Sequence, residues 1–181
     1  MEESQFWLES EKSQGVSDKE LIQWEKSHGF KLPETFKRLW QQQDGGYVNP
    51  CTSSKGGGLD QANTLKQITT LAKSKNWAKW SARSRELEDE VNEDEDFAAQ
   101  LAEEMKEDGV IPIGNEALMV SFRDNGHTWL CLDWNCVGQQ GEPQVTHIDF
   151  ESGYFGKRII AESFAEYIAQ LKFTPSRQRP R

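Results

Sequence analysis

The sequence predicts an α+β domain: a mainly antiparallel sheet of about four to six strands, two N-terminal helices, a helical acidic insertion and a C-terminal helix. Three observations predict it. Helical spacing of apolar residues fills the stretch 15–46. Two apolar runs flank Asn125-Gly126, the pair preferred in tight primed turns, and read as a β-hairpin. A second helical pattern follows the strands at 162–173. Helix, then strands, then helix is the order of an α+β fold, not of alternating βα units.

The first helix is expected in "GVSDKELIQWEKSHGF". Ser17 stands three residues before Glu20, so the two can form a capping box, with Val16 and Leu21 as its hydrophobic staple. Leu21, Trp24 and His28 follow helical spacing. Gly29 suits the position past the helix end, with Phe30 placed to fold back onto the last turn. The second helix is expected in "KLPETFKRLWQQQDGG", with Pro33 in its first turn and Phe36, Leu39 and Trp40 as its apolar stripe.

Asp44, Gly45 and Gly46 come directly after that stripe. A phosphate-binding loop places its glycines after a strand and before a helix, where helix N–H groups face the anion. Here the order is reversed, and the carbonyl end of a helix repels phosphate. These glycines are therefore expected to end the helix and turn the chain. The later run "KGGGLD" lacks the Lys-Ser/Thr ending of a phosphate loop and reads as a loop.

Residues 59–108 are helical in pattern. Leu65, Ile68 and Leu71 have helical spacing within a candidate helix over 59–73, and Phe97, Leu101 and Met105 repeat it. Between them "RELEDEVNEDED" is too charged to bury. In the hairpin's second strand, Leu130, Leu132 and Trp134 share one face; His127, Trp129, Cys131 and Asp133 share the other. "PQVTHIDFE" is a third strand and "KRIIA" a fourth. In "ESFAEYIAQLKF", Ser163 and Glu166 form a second capping box, and Phe164, Ile168 and Leu171 point inward. The boundaries are a single domain over 1–173 and a disordered basic tail over 174–181.

Seven Trp and nine Phe supply bulky core material to a chain that is only 35% hydrophobic. No stretch reaches the roughly 18 consecutive apolar residues that a membrane span needs. The acidic start "MEESQFWLES" lacks the pattern of a secretory signal. Cys51, Cys131 and Cys136 are odd in number, as in a reduced cytoplasmic protein. Net charge is -9, but twelve acids against Lys106 alone place -11 between Glu86 and Asp108. The remainder carries +2. Such a block repels nucleic acid and attracts basic partners.

Both ends of the chain resemble the SUKH superfamily, which joins Smi/Knr-like cell-wall regulators with bacterial toxin-immunity proteins. The residues that carry the resemblance are Trp24-Glu25, Gly29, Leu32-Pro33, Phe36, Leu39 and Gly45-Gly46, then "VIPIGNEALMVSF", "CLDW" and "PQV", then "SFAEYIAQL". Asp44 stands where the family commonly has Asn, a mild departure in a turn. The resemblance covers roughly 16–58 and 109–173 and leaves 59–108 as a variable insertion. It implies a cytoplasmic binding module without catalytic residues, most often an immunity protein that neutralises a toxin domain by stoichiometric binding. A regulatory scaffold with an endogenous partner is the alternative.

The residues offer no clear chemistry of their own. His127, Cys131, Cys136 and His147 are spaced unlike any zinc knuckle or finger. Cys131 with His127 lacks a marked oxyanion hole. A hydrolase built around Asp133 is the remaining enzymatic reading. Trp77 and Trp80 lie among Lys75, Lys79, Arg83 and Arg85, but the adjacent acids oppose nucleic acid. No metal, cofactor, nucleic acid or membrane is expected. The candidate partner-binding residues are Glu86, Glu88, Asp89, Glu90, Glu93, Asp94, Glu95 and Asp96, facing a basic toxin domain such as a nuclease.

Overall fold

The computed structural model of the chain describes residues 6–8, 13–53, 64–71, 95–115, 118–124, 128–149 and 156–173. The described elements follow in this order: α1 (Asp18–His28), α2 (Glu34–Gln42), β1 (Gly46–Ser53), β2 (Thr64–Ile68), α3 (Glu95–Glu107), β3 (Ile111–Pro112), β4 (Met119–Asp124), β5 (Thr128–Val137), β6 (Pro143–Asp149), β7 (Gly156–Ala161), α4 (Phe164–Gln170) and β8 (Leu171–Phe173). The fold is α+β. A five-stranded sheet runs β3-β7-β6-β5-β4, and a three-stranded sheet runs β2-β1-β8. Every described pairing is antiparallel.

The N-terminal helices form for local reasons. The Ser17 hydroxyl accepts from the Glu20 amide at 3.3 Å, and the Glu20 carboxylate accepts from the Ser17 amide at 2.9 Å. These two bonds satisfy amide groups at the start of α1 that no helical carbonyl can reach. Gly29 takes φ 75°, and its amide closes onto the Glu25 carbonyl at 2.9 Å. Pro33 stands immediately before α2, whose first residue is Glu34. Phe30 packs against the core cluster that includes Leu21 and Trp24 of α1, and its ring stacks on Trp134 of β5, with centroids 4.5 Å apart.

The turn after α2 releases the chain into β1. Gln43 is the residue past the helix end, and its amide bonds the Leu39 carbonyl. The helix therefore ends before the glycines. Gly45 is required by a close approach: its φ is 68°, and a Cβ there would lie 2.6 Å from the Thr70 amide nitrogen. Asp44 accepts the Leu71 amide on Oδ1 at 2.7 Å. The stretch is a strand-entry turn clipped onto residues 69–71.

Three expectations are corrected. The candidate helix over 59–73 instead yields β2, where Thr64–Ile68 pairs with β1. Spacing of three is compatible with either state over so short a run, and the open edge of β1 decides it. The C-terminal helix ends at Gln170, and Leu171 opens β8, which pairs with Cys51–Ser53 of β1. At the start of α4, Ser163 accepts from the Glu166 amide, but the Glu166 carboxylate receives the amide of Glu162, one residue earlier than a capping box requires.

Both faces of the five-stranded sheet are buried. Leu130 and Leu132 face the large core with Val120, Phe122, Phe164 and Phe36. Phe36 stacks on Trp40 at 3.7 Å and meets Phe164 edge-on at 5.0 Å. On the other face Cys131 joins Ile113, Met119 and Ile148, with Trp129 against them. The expected division of β5 into two faces holds for these residues. His127, the loop "KGGGLD" and the tail 174–181 lie outside the described residues.

Candidate functional site

The acidic segment enters the described structure at α3. Glu86, Glu88, Asp89, Glu90, Glu93 and Asp94 lie outside the described residues, as do Trp77, Trp80 and their neighbouring bases. Glu95 and Asp96 begin α3, but their side chains also lie outside what is described. Further along the helix, Glu103, Glu104, Glu107 and Asp108 are exposed, while Leu101 and Met105 are half-buried. This is the one-sided pattern of a helix lying on a surface.

The end of α3 is fixed by a backbone motif that the sequence reading missed. The Val110 amide bonds the Met105 carbonyl at 2.7 Å, and the Gly109 amide bonds that of Lys106 at 3.2 Å. With Gly109 at φ 66°, this is a Schellman ending. Val110 is buried, and a Cβ on Gly156 of β7 would strike both Val110 and Met105. Gly156 is thus the floor on which the helix end sits. Arg158 of β7 donates its Nε to the Asp108 carbonyl at 3.2 Å and places its guanidinium 3.9 Å from the Asp108 carboxylate. The signal in the sequence was Gly109, which follows the last apolar position of the helix.

Of the residues readable as a metal set, Cys131 and His147 are not brought together, and His127 lies outside the described residues. Leu130 lies opposite His147, and Cys131 lies opposite Thr146. Directly opposed residues share a face, so Cys131 and His147 project from opposite faces. Among the described residues no three His, Cys, Asp or Glu side chains gather as a metal set. Cys131 is wholly buried in the smaller apolar cluster.

Asp133 is engaged on both oxygens. Lys157 donates to Oδ2, and the Asn135 amide and side chain donate to Oδ1 at 2.9 and 2.8 Å. Asn135 in turn exchanges two hydrogen bonds with the Asn115 backbone, at 2.8 and 2.9 Å. This network straps the segment after β3 across the sheet. It removes Asp133 from the reach of a substrate, so a hydrolase centred there has no support in the geometry. Glu25 does comparable work between the helices. It accepts the Leu32 amide at 2.9 Å and lies 3.6 Å from Lys37, which also pairs with Glu34. The hydrogen bond that Lys37 donates to Glu34 leads the effects that raise the Lys37 pKa.

A second polar group lies in the large core. Arg123, His147 and Tyr167 are all buried. Burial pushes the His147 imidazole down to about 4, with the Arg123 charge acting in the same direction. Burial raises the Tyr167 hydroxyl pKa and lowers that of Arg123. Nothing in the spacing of the sequence marked these three as neighbours.

Taken together, the described residues form an α+β scaffold that presents carboxylates on a docked helix. The model of the SMI1 / KNR4 family (SUKH-1) matches residues 15–170. The chain belongs to this family. No curated protein matches it closely enough to add a more particular relationship. The match spans the insertion as well as the two flanking regions whose motifs carried the resemblance. Among the described residues, no helix is long and apolar enough to cross a membrane.

Proposed function

We propose that the protein is a cytoplasmic immunity protein that binds a basic toxin domain, of which a nuclease is one type, and neutralises it by stoichiometric occlusion. The observation that carries this reading is the outward row of Glu103, Glu104, Glu107 and Asp108 on a helix end that is anchored to the sheet. Anchored carboxylates can imitate a phosphate backbone without a large ordering cost on binding. Membership of a family whose superfamily holds toxin-immunity proteins and cell-wall regulators supports the same reading. The acids from Glu86 to Asp96 would extend that surface.

The test is co-expression with the C-terminal domain of the neighbouring gene's product, scoring growth rescue and co-purification. Neutralising Glu88, Asp89, Glu93, Asp94 and Asp96 together should slow association and flatten its salt dependence. Unchanged kinetics would remove the acidic segment from the interface. The superfamily's cell-wall regulators favour a second reading, a scaffold for an endogenous partner. Co-purification of a host protein with no growth rescue would select it.

A further inference from the structure

Arg123, His147 and Tyr167 enter the large core from β4, β6 and α4. The strand register sets the first two on one face. Across the bulge between Ser121 and Arg123, Arg123 lies opposite Leu130, and Leu130 lies opposite His147. Leu130 belongs to the large core, so both polar side chains enter it. Two strand spacings separate their backbones, about 10 Å, which a guanidinium and an imidazole can span between them. Tyr167 descends from α4 onto Phe122, the neighbour of Arg123, with ring centroids 5.9 Å apart. Arg123 lies within electrostatic reach of both Tyr167 and His147.

Arg123 Nη1, His147 Nε2 and Tyr167 Oη are buried, and none has a hydrogen-bond partner among the described residues. Arg123 is 7% exposed, His147 2% and Tyr167 0%. No carboxylate pairs with Arg123 among the described residues. A buried guanidinium N–H without an acceptor is costly to leave in a core. All three groups can donate: the guanidinium always, the hydroxyl by rotation, and the neutral imidazole through the tautomer protonated on Nε2. What the group lacks is one acceptor that can serve all three.

We propose that Arg123, His147 and Tyr167 bind a small oxyanion of the carboxylate class between β4, β6 and α4. The charges around the group define where it sits. Asp149 and Arg158 act on His147 with opposite sign, the first favouring its proton and the second opposing it. The two offset one another at that end, so the charge that an anion would meet is that of Arg123. With the imidazole neutral, Arg123 supplies a single positive charge, which matches a singly charged ligand. This inference is independent of the toxin-binding reading.

The experiment uses the full chain, dialysed into chloride buffer and titrated with acetate, formate or phosphate at constant ionic strength. The readouts are the Arg123 side-chain N–H resonance and the thermal midpoint. Acetate should move the resonance saturably. At about 100 times its Kd it should raise the folded-to-unfolded ratio about 100-fold. Arg123→Gln should weaken binding about 10- to 100-fold, and Tyr167→Phe should weaken it measurably. Lys172→Gln, an exposed change on β8, should leave it unaltered. Should Arg123→Gln fail to fold, the wild-type and Tyr167→Phe titrations decide alone. A linear response, equal in the two proteins, overturns the proposal and assigns the three donors to water. Tighter binding of phosphate than of acetate overturns the carboxylate class.

Discussion

Lys157 of β7 donates its Nζ to Oδ2 of Asp133 on β5, with 2% and 0% of their side chains exposed. A pair so sealed gains from attraction what it loses in hydration only while both partners stay. Asp133→Leu or Lys157→Met alone should therefore cost about 3–5 kcal/mol, because each leaves the other group uncompensated. The double replacement Asp133→Leu with Lys157→Met should recover much of that loss. Urea unfolding of the four proteins measures it, and a fully additive double mutant would show the two residues to be uncoupled.

Gly45 and Gly141 separate two kinds of glycine cost. Both have positive φ, 68° and 76°, but a Cβ on Gly45 meets the 68–70 backbone while one on Gly141 meets nothing within 4 Å. Gly141→Ala should cost about 1 kcal/mol from backbone strain alone. Gly45→Ala should cost about 2 kcal/mol or more and loosen the Asp44–Leu71 bond. Denaturant midpoints, with exchange of the Leu71 amide, test both statements.

His147 makes stability depend on pH. Its pKa falls from 6.5 to about 4 on folding. The unfolded chain therefore binds the proton first. The stability is fully present above pH 6.5 and is lost as pH falls towards 4. The loss approaches about 3 kcal/mol and then levels off. The faces around His147 present Arg123, Arg158 and Asp149, so the ionised imidazole meets two cations and one anion. His147→Gln should flatten the pH profile of unfolding in that window; an unchanged profile would place the titration elsewhere.

Gly156 offers a handle on α3. Gly156→Val puts a branched side chain where Val110 and Met105 rest. It should free the helix end, so that amides of residues 101–107 lose hydrogen-exchange protection while β5 and β6 keep theirs. Equal loss across the sheet would mean global destabilisation instead.

What the sequence revealed was local. Ser17 and Glu20 cap a helix across three residues, and Gly29 ends it, so the pattern alone suffices. Phe36, Leu39 and Trp40 likewise face the core as their spacing predicts. β2 was hidden because Leu65, Ile68 and Leu71 fit a helix equally well until the edge of β1 is in place. Leu171 extends the apolar stripe of α4, yet distant Ser53 claims it for a strand. In the candidate site the acidic composition was plain, but its anchoring on Gly156 joins residues remote in the chain. The Asp133–Lys157 pair and the Arg123, His147 and Tyr167 group were illegible for the same reason. Strand register created them.

The pairing of β8 with β1 also governs how this protein comes into being. Cys51 must find Phe173. On a translating ribosome β1 emerges long before its partner strand, with one edge unpaired throughout. Such distant closure slows folding and leaves an open strand available to other nascent chains. Holding that edge until the last strand arrives is the service a chaperone would render here, and rapid dilution from denaturant would have to succeed without it.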